Sequence, residues 1–154
     1  PNAAAYVLGM DDALYSKDIL RLASGLTAER LTAPHVTVTR TSRICGSRLT
    51  LDVRFDDAGA VTETGCQVKA CALGQASCAF VLPRAAGLTH EAFEPVDTAF
   101  RAMLVDGAAP PSGEWAGLSV FQPVHDHRAR HGAVLLPFDA LTEAFAQHRA
   151  GHAA

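Results

Sequence analysis

Apolar and polar residues alternate most regularly in Arg48-Leu49-Thr50-Leu51-Asp52-Val53-Arg54-Phe55. Leu49, Leu51, Val53 and Phe55 share one side, while Arg48, Thr50, Asp52 and Arg54 share the other, which is the period of a half-buried strand. The β-branched run at 35–41 predicts a strand before it, and Asp56-Asp57-Ala58-Gly59 is hairpin-turn chemistry. Residues 60–68 follow as a third strand, with Gly65 marking a bulge or a close approach. The three strands predict an antiparallel meander whose single apolar face needs a cover.

The flanking patterns are helical. Over 14–23, Ser16 is placed to cap a short helix, Ile19, Leu20, Leu22 and Ala23 form its stripe, and Gly25 stops it. Residues 25–34 read as a loop. A helix over 71–82 ends near Pro83 and Gly87. Thr89 caps another that carries Phe93, Val96, Phe100, Met103 and Leu104 and is expected to break or kink at Pro95. Trp115 to Phe121 reads as a short apolar connection, and a last helix over 128–148 is expected to be interrupted at Pro137. Residues 1–12 read as a poorly ordered lead-in. The expected architecture is α+β, a small three-stranded antiparallel sheet backed by helices, in one domain spanning 1–154.

Composition narrows the function classes. The chain has 154 residues, 49% hydrophobic, and a net charge of −3. Its apolar runs are too short to span a bilayer, and the lack of a basic block argues against a nucleic-acid binder. The four cysteines are loosely spaced, which fits reduced thiols and a cytoplasmic protein, or one of an organelle matrix if the N-terminus is processed.

Two cysteines occupy chemically apt places. Cys71 stands where an extended segment gives way to a helix, and backbone N–H groups at such a terminus favour a thiolate. Cys45 precedes a strand and is flanked by Arg43 and Arg48. Either thiol could equally be a packed structural cysteine. Cys78 lies two helical turns beyond Cys71, too far along the axis to share an ion with it, and Cys66 reads as a packing residue. His127 and His131 are four apart and would share a helical face able to hold a metal, although a solvated helix end explains them as well. His35, His90, His148 and His152 read as surface residues. No nucleophile elbow, phosphate loop or dinucleotide fingerprint occurs, and no general base supports a metal hydrolase, so an enzyme is not expected.

Tyr15-Ser16-x-x-Ile19-Leu20, the Cys45-Gly46 opening of a strand, Cys71-x-x-Gly-x-Ala-Ser and the final Leu135-Leu136-x-x-Asp139-Ala140-Leu141 occur in this order. In this the chain resembles the U-type iron–sulfur cluster scaffold proteins, the IscU, SufU and NifU amino-terminal group, over about 14–148. The resemblance implies a SufE/NifU-like fold and a scaffold or carrier role. Cys45 and Cys71 would then be two of the three cysteines that receive sulfur and hold a nascent cluster (2Fe-2S) or a zinc ion. It also implies a cysteine desulfurase and cluster-accepting proteins as partners. Ser47 stands where the family usually has an aspartate, and no cysteine follows Cys78 to match the third one near Gly132 or Ala133. His131 is the candidate third ligand, with a partner, Cys66, His127 or a small molecule supplying a fourth. The alternative is a cluster-free structural or adaptor subunit of a larger complex that keeps the fold.

Overall fold

The computed structural model describes residues 14–152, so the lead-in expected at 1–12 lies outside the described residues. The elements run α1 (Lys17–Ser24), β1 (Val36–Thr41), β2 (Arg48–Phe55), β3 (Val61–Lys69), α2 (Ala72–Arg84), α3 (His90–Asp106), a 3₁₀ segment (Gly113–Asp126) and α4 (Arg128–His152). The strands form a three-stranded antiparallel sheet in the order β1-β2-β3. This is the α+β meander that the alternation predicts.

The apolar face behaves as its period requires. Leu49, Leu51 and Val53 are fully buried and α4 lies across β1 and β2, while α2 packs on both α1 and α4. Aromatic rings fill the space between, with Phe100 on Phe138 at 4.5 Å and Phe93 on Phe145 at 5.6 Å. Burying side chains of this size stabilises the fold by roughly 1.5–3 kcal/mol each. Ser16 caps α1 by accepting from the Ile19 amide, as expected. Leu20, expected in the buried stripe of α1, is 49% exposed, and Ile19 is the helix's buried anchor.

The prolines expected to break helices do not. Pro95 and Pro137 lie inside continuous helices, whereas α2 ends at Arg84, beside Pro83, as expected. A helical proline leaves the carbonyl four residues back without its amide donor, a cost that tertiary packing can offset. Near Pro137, the Ser77 hydroxyl of α2 donates to Val134 O of α4 at 2.6 Å and ties the two helices together. The connection expected from Trp115 to Phe121 is part of the longer 3₁₀ run, whose Trp115, Leu118, Phe121 and Val124 are buried.

The polar face of the sheet holds one buried charge. Asp52 is fully buried, although its strand position puts it among outward-facing residues. Arg30 donates to it twice, from Nε at 2.6 Å and from Nη2 at 3.0 Å. The Leu31 amide adds 3.0 Å and the Thr37 hydroxyl 2.7 Å. The loop 25–34 is therefore a strap drawn over the outer face, and the Cys66 amide donates to its Glu29 carbonyl at 2.9 Å. Gly65 passes beneath it: a Cβ there would lie 2.6 Å from both Glu29 O and Leu31 N. Gly65 is thus a close approach, and the irregularity of the β2–β3 ladder falls at Arg54/Phe55 instead.

Burial alone would raise the Asp52 carboxyl; the hydrogen bonds from Arg30, Thr37 and Leu31, with the Arg30 charge, more than offset it and hold it below its ordinary value. A carboxyl lowered on folding stabilises the protein above its unfolded-state value of about 3.9. That contribution drains as pH falls toward the lower folded value. Asp52→Asn is expected to lower stability at neutral pH by about 2–4 kcal/mol, because the buried site loses its charge and one of the two oxygens that Arg30, Leu31 and Thr37 share. Urea midpoints of the two proteins should converge as pH falls below about 4, and a gap independent of pH would contradict the assignment.

Candidate functional site

The ladder carries both candidate thiols to one end of the sheet. Arg48 opens β2 and pairs directly with Lys69, which closes β3. Ser47 and Gly46 therefore enter, and Ala70 and Cys71 leave, side by side. The β1–β2 loop turns on Gly46, whose φ of +74° suits glycine, and closes through the Ser42 amide to Ser47 O at 2.7 Å. Cys71 is the N-cap residue of α2, with an extended backbone (φ −65°, ψ 171°) and no side-chain capping bond. Both thiols are half-buried and unpaired.

The first turn of α4 clamps the two segments. A Cβ on Gly132 would lie 2.5 Å from Ser42 Oγ, and one on Gly74, three residues after Cys71, would lie 3.4 Å from Ala133 O. Consecutive residues of α4 thus press on the loop of Cys45 and on the start of α2. Any side chain at 132 would need the Ser42 hydroxyl to move aside.

Cys45 has the more polar surroundings. Its Sγ is 3.3 Å from Ser42 Oγ and 3.2 Å from Ser47 Oγ. Burial works against the thiolate, but hydrogen bonds from the two hydroxyls and the Ser47 amide, with the charge of Arg130, outweigh it and lower the thiol below its ordinary value. The cation acting on Cys45 is Arg130 of α4, where the sequence pointed to Arg43 and Arg48. Arg130 escaped the sequence reading because only folding brings it to Cys45; Ser42, three residues away in the same loop, was overlooked. Ser47 was visible only as a missing aspartate.

The other two cysteines are core residues. Cys66 is buried beneath the strap with Sγ 3.9 Å from Thr27 O, and burial together with the Asp52 charge pushes its thiol up. Cys78 is fully buried and pushed up further by burial, with a smaller contribution from Cys66. Cys66 is thereby removed as a fourth ligand. A cleft of about 360 Å³ lies between these two cysteines and the strap, with Arg30 and Glu63 on its rim, and it is separate from the Cys45 loop.

His131 is tied to the backbone. Its Nε2 is 2.9 Å from Val124 O and 3.2 Å from His125 O, so Nε2–H is the donor to these carbonyls. The ring borders a 540 Å³ cleft with His125, Asp126 and Val105. His127 stands at the junction ahead of α4, not on a common helical face with His131. Among the described residues no group of three His, Cys, Asp or Glu side chains is gathered as a metal centre. Of the histidines read as surface residues, His35 and His152 are exposed. His148 is half-buried and stacks on Phe55 at 4.0 Å, and His90 is half-buried against Phe145.

These differences predict an order of reactivity. In the native protein iodoacetamide should label Cys45 rapidly near neutral pH and leave Cys66 and Cys78 untouched. A Ser42→Ala/Ser47→Ala variant should slow Cys45 labelling by roughly two- to tenfold, read by mass spectrometry of the alkylated peptides. Labelling of Cys66 at a rate comparable to Cys45 would contradict the burial described.

No family model matches the chain, and no curated protein matches it. Solved structures do. A nitrogen-fixing NifU-like protein (N-terminal) from Brucella abortus superposes with a TM-score of 0.82 at 37% identity, covering 90% of this chain and 96% of that one. An iron–sulfur cluster assembly scaffold protein for the SUF system from Fervidobacterium islandicum AW-1 gives a TM-score of 0.76 at 22% identity, covering 86% and 96%, and so shares the fold. With an ordered sheet, two half-exposed thiols at one rim and this likeness along nearly its whole described length, the chain belongs to the NifU-like family of U-type iron–sulfur scaffold proteins.

Proposed function

We propose that the chain is a scaffold or carrier in iron–sulfur cluster assembly, with Cys45 and Cys71 accepting sulfur or holding the cargo. The cargo in this reading is a 2Fe-2S cluster, with zinc as an occupant of the same thiols. The observation that carries it is the emergence of two half-exposed thiols at the same end of adjacent strands, one within a polar shell. His131 would enter as third ligand through Nδ1, its orientation held by the Nε2 bonds to backbone carbonyls, as ligand imidazoles commonly are. A shell short of four thiolates suits a carrier, because soft, complete ligation retains iron and sulfur rather than passing them on. A cysteine desulfurase would supply the sulfur and acceptor proteins would receive the cluster, in the cytoplasm.

One observation favours a second reading, an adaptor that keeps the fold without the chemistry. A Cβ at Gly132 would lie 2.5 Å from Ser42 Oγ, so a cysteine at 132 would require Ser42 to give way. Anaerobic reconstitution with iron and sulfide separates the two. The scaffold reading expects visible absorbance with stoichiometric iron, abolished in Cys45→Ala and in Cys71→Ala and reduced in His131→Ala. Wild-type protein that takes up neither iron nor zinc would leave the adaptor.

The packing also predicts the behaviour of a restored third cysteine. Gly132→Cys alone should destabilise the fold by about 1–3 kcal/mol through overpacking against Ser42. Combined with Ser42→Gly it should recover most of that stability and hold a reconstituted cluster longer against chelation by a competing acceptor. Equal thermal midpoints for Gly132→Cys and wild type would contradict the contact.

A further inference from the structure

Among the described residues, the outer face of the sheet is divided between an occupied half and a bare one. Away from the thiols, the strap closes over Asp52 and Gly65, and Arg54 pairs with Glu63 at 3.0 Å. Next to the thiols the last row is Thr41, Arg48 and Lys69, all exposed, and the row behind it is Thr39, Thr50 and Gln67. Arg48 and Lys69 face each other across the ladder, a like-charge arrangement that works against the sheet. Among the described residues neither belongs to an ion pair, and neither do Arg43 of the β1–β2 loop or Arg128 and Arg130 of the first turn of α4. The segments that build this end, 40–51, 64–84 and 127–138, contain no Asp or Glu, in a chain whose net charge is −3. Arg43, Arg48, Lys69, Arg128 and Arg130 thus lie on the segments from which the cysteines emerge, while Arg40 of the same segments has Glu143 as its partner. At the tip of the same loop Ile44 is 76% exposed, an apolar side chain beside the charged row.

We propose that this bare half of the sheet is the docking surface for a carboxylate-bearing segment of a partner protein, seated across Arg48 and Lys69 with an apolar side chain against Ile44. On the scaffold reading, on which this identification of the partner's role rests, the segment belongs to the protein that exchanges sulfur or cluster with Cys45 and Cys71. Charge complementarity commits the surface to an acidic occupant, and its shape commits it to a polypeptide. The hollow bounded by Arg48, Thr50, Gln67 and Lys69 is about 90 Å³, well below the roughly 300–1,000 Å³ of small-molecule sites. Strands spaced about 4.8 Å apart make a platform roughly 10 Å wide that a chain segment can cross. An exposed apolar anchor within a charged rim is the composition of a protein interface.

The test uses the full chain and a fluorescein-labelled peptide of alternating glutamate and leucine, followed by anisotropy at low and at physiological salt. Wild type should bind it, with affinity falling as salt rises, and amide shifts on binding should map to Ile44, Arg48 and Lys69. Arg48→Glu/Lys69→Glu should weaken binding by about tenfold or more, while Arg21→Glu on the exposed side of α1 stays within about twofold of wild type. Both altered positions are exposed, and circular dichroism checks that the variants fold. The proposal is overturned if the reversed pair binds like wild type, if a glutamine counterpart of the peptide binds equally well, if oligothymidylate displaces the peptide with equal affinity, or if the shifts fall on another face. Cys45→Ser/Cys71→Ser separates the two ideas. Peptide binding retained there supports a docking surface independent of cargo, even if wild type fails reconstitution and the scaffold reading falls. Reconstitution that succeeds while the reversed pair leaves peptide binding unchanged removes the docking surface alone.

Discussion

Ser42 stands where a side chain at position 132 would go, and much of the site follows from that contact. It sets the first turn of α4 hard against the β1–β2 loop and brings Arg130 within electrostatic reach of Cys45. One residue on, Ala133 meets Gly74, so the same turn also positions the start of α2 behind Cys71. Small residues at 74, 132 and 133 let backbone and backbone approach, as close packing of elements demands.

The four cysteines are sorted by surroundings rather than by spacing. Cys45 lies among hydroxyls and within the electrostatic reach of Arg130, Cys71 ends an extended segment at a helix start, and Cys66 and Cys78 are sealed where a thiolate is unfavourable. Of the four, only Cys45 and Cys71 are partly open to solvent.

Local periodicity was a good guide wherever neighbouring residues decide the conformation. The alternation from Arg48 to Phe55 is the observed β2, Thr89 caps α3 with its side chain 3.2 Å from the Ala92 amide, and the cysteine-bearing segments lie where their motifs put them. It was a poor guide where distant chain intervenes. Asp52 reads as a solvent-facing carboxylate until Arg30 and Leu31 are laid over it. Pro95 and Pro137 read as breaks, yet helix packing carries the chain through them. His127 and His131 read as a pair, but α4 starts between them and His131 turns to the carbonyls of the preceding segment. Likewise the cation near Cys45 comes from a helix at the other end of the chain, for which spacing carries no signal, whereas its serine partners stand two and three residues away.

The loop 25–34 does more than satisfy Asp52. β3 is a border strand, and a border strand left open offers its amides and carbonyls as a template for further strands. Here Glu29 takes the Cys66 amide and the loop lies over Gly65, so recruitment of a fourth strand along that side is blocked midway. Any self-association that extends the sheet must therefore begin at β1, on the flank where Arg40 reaches Glu143 of α4.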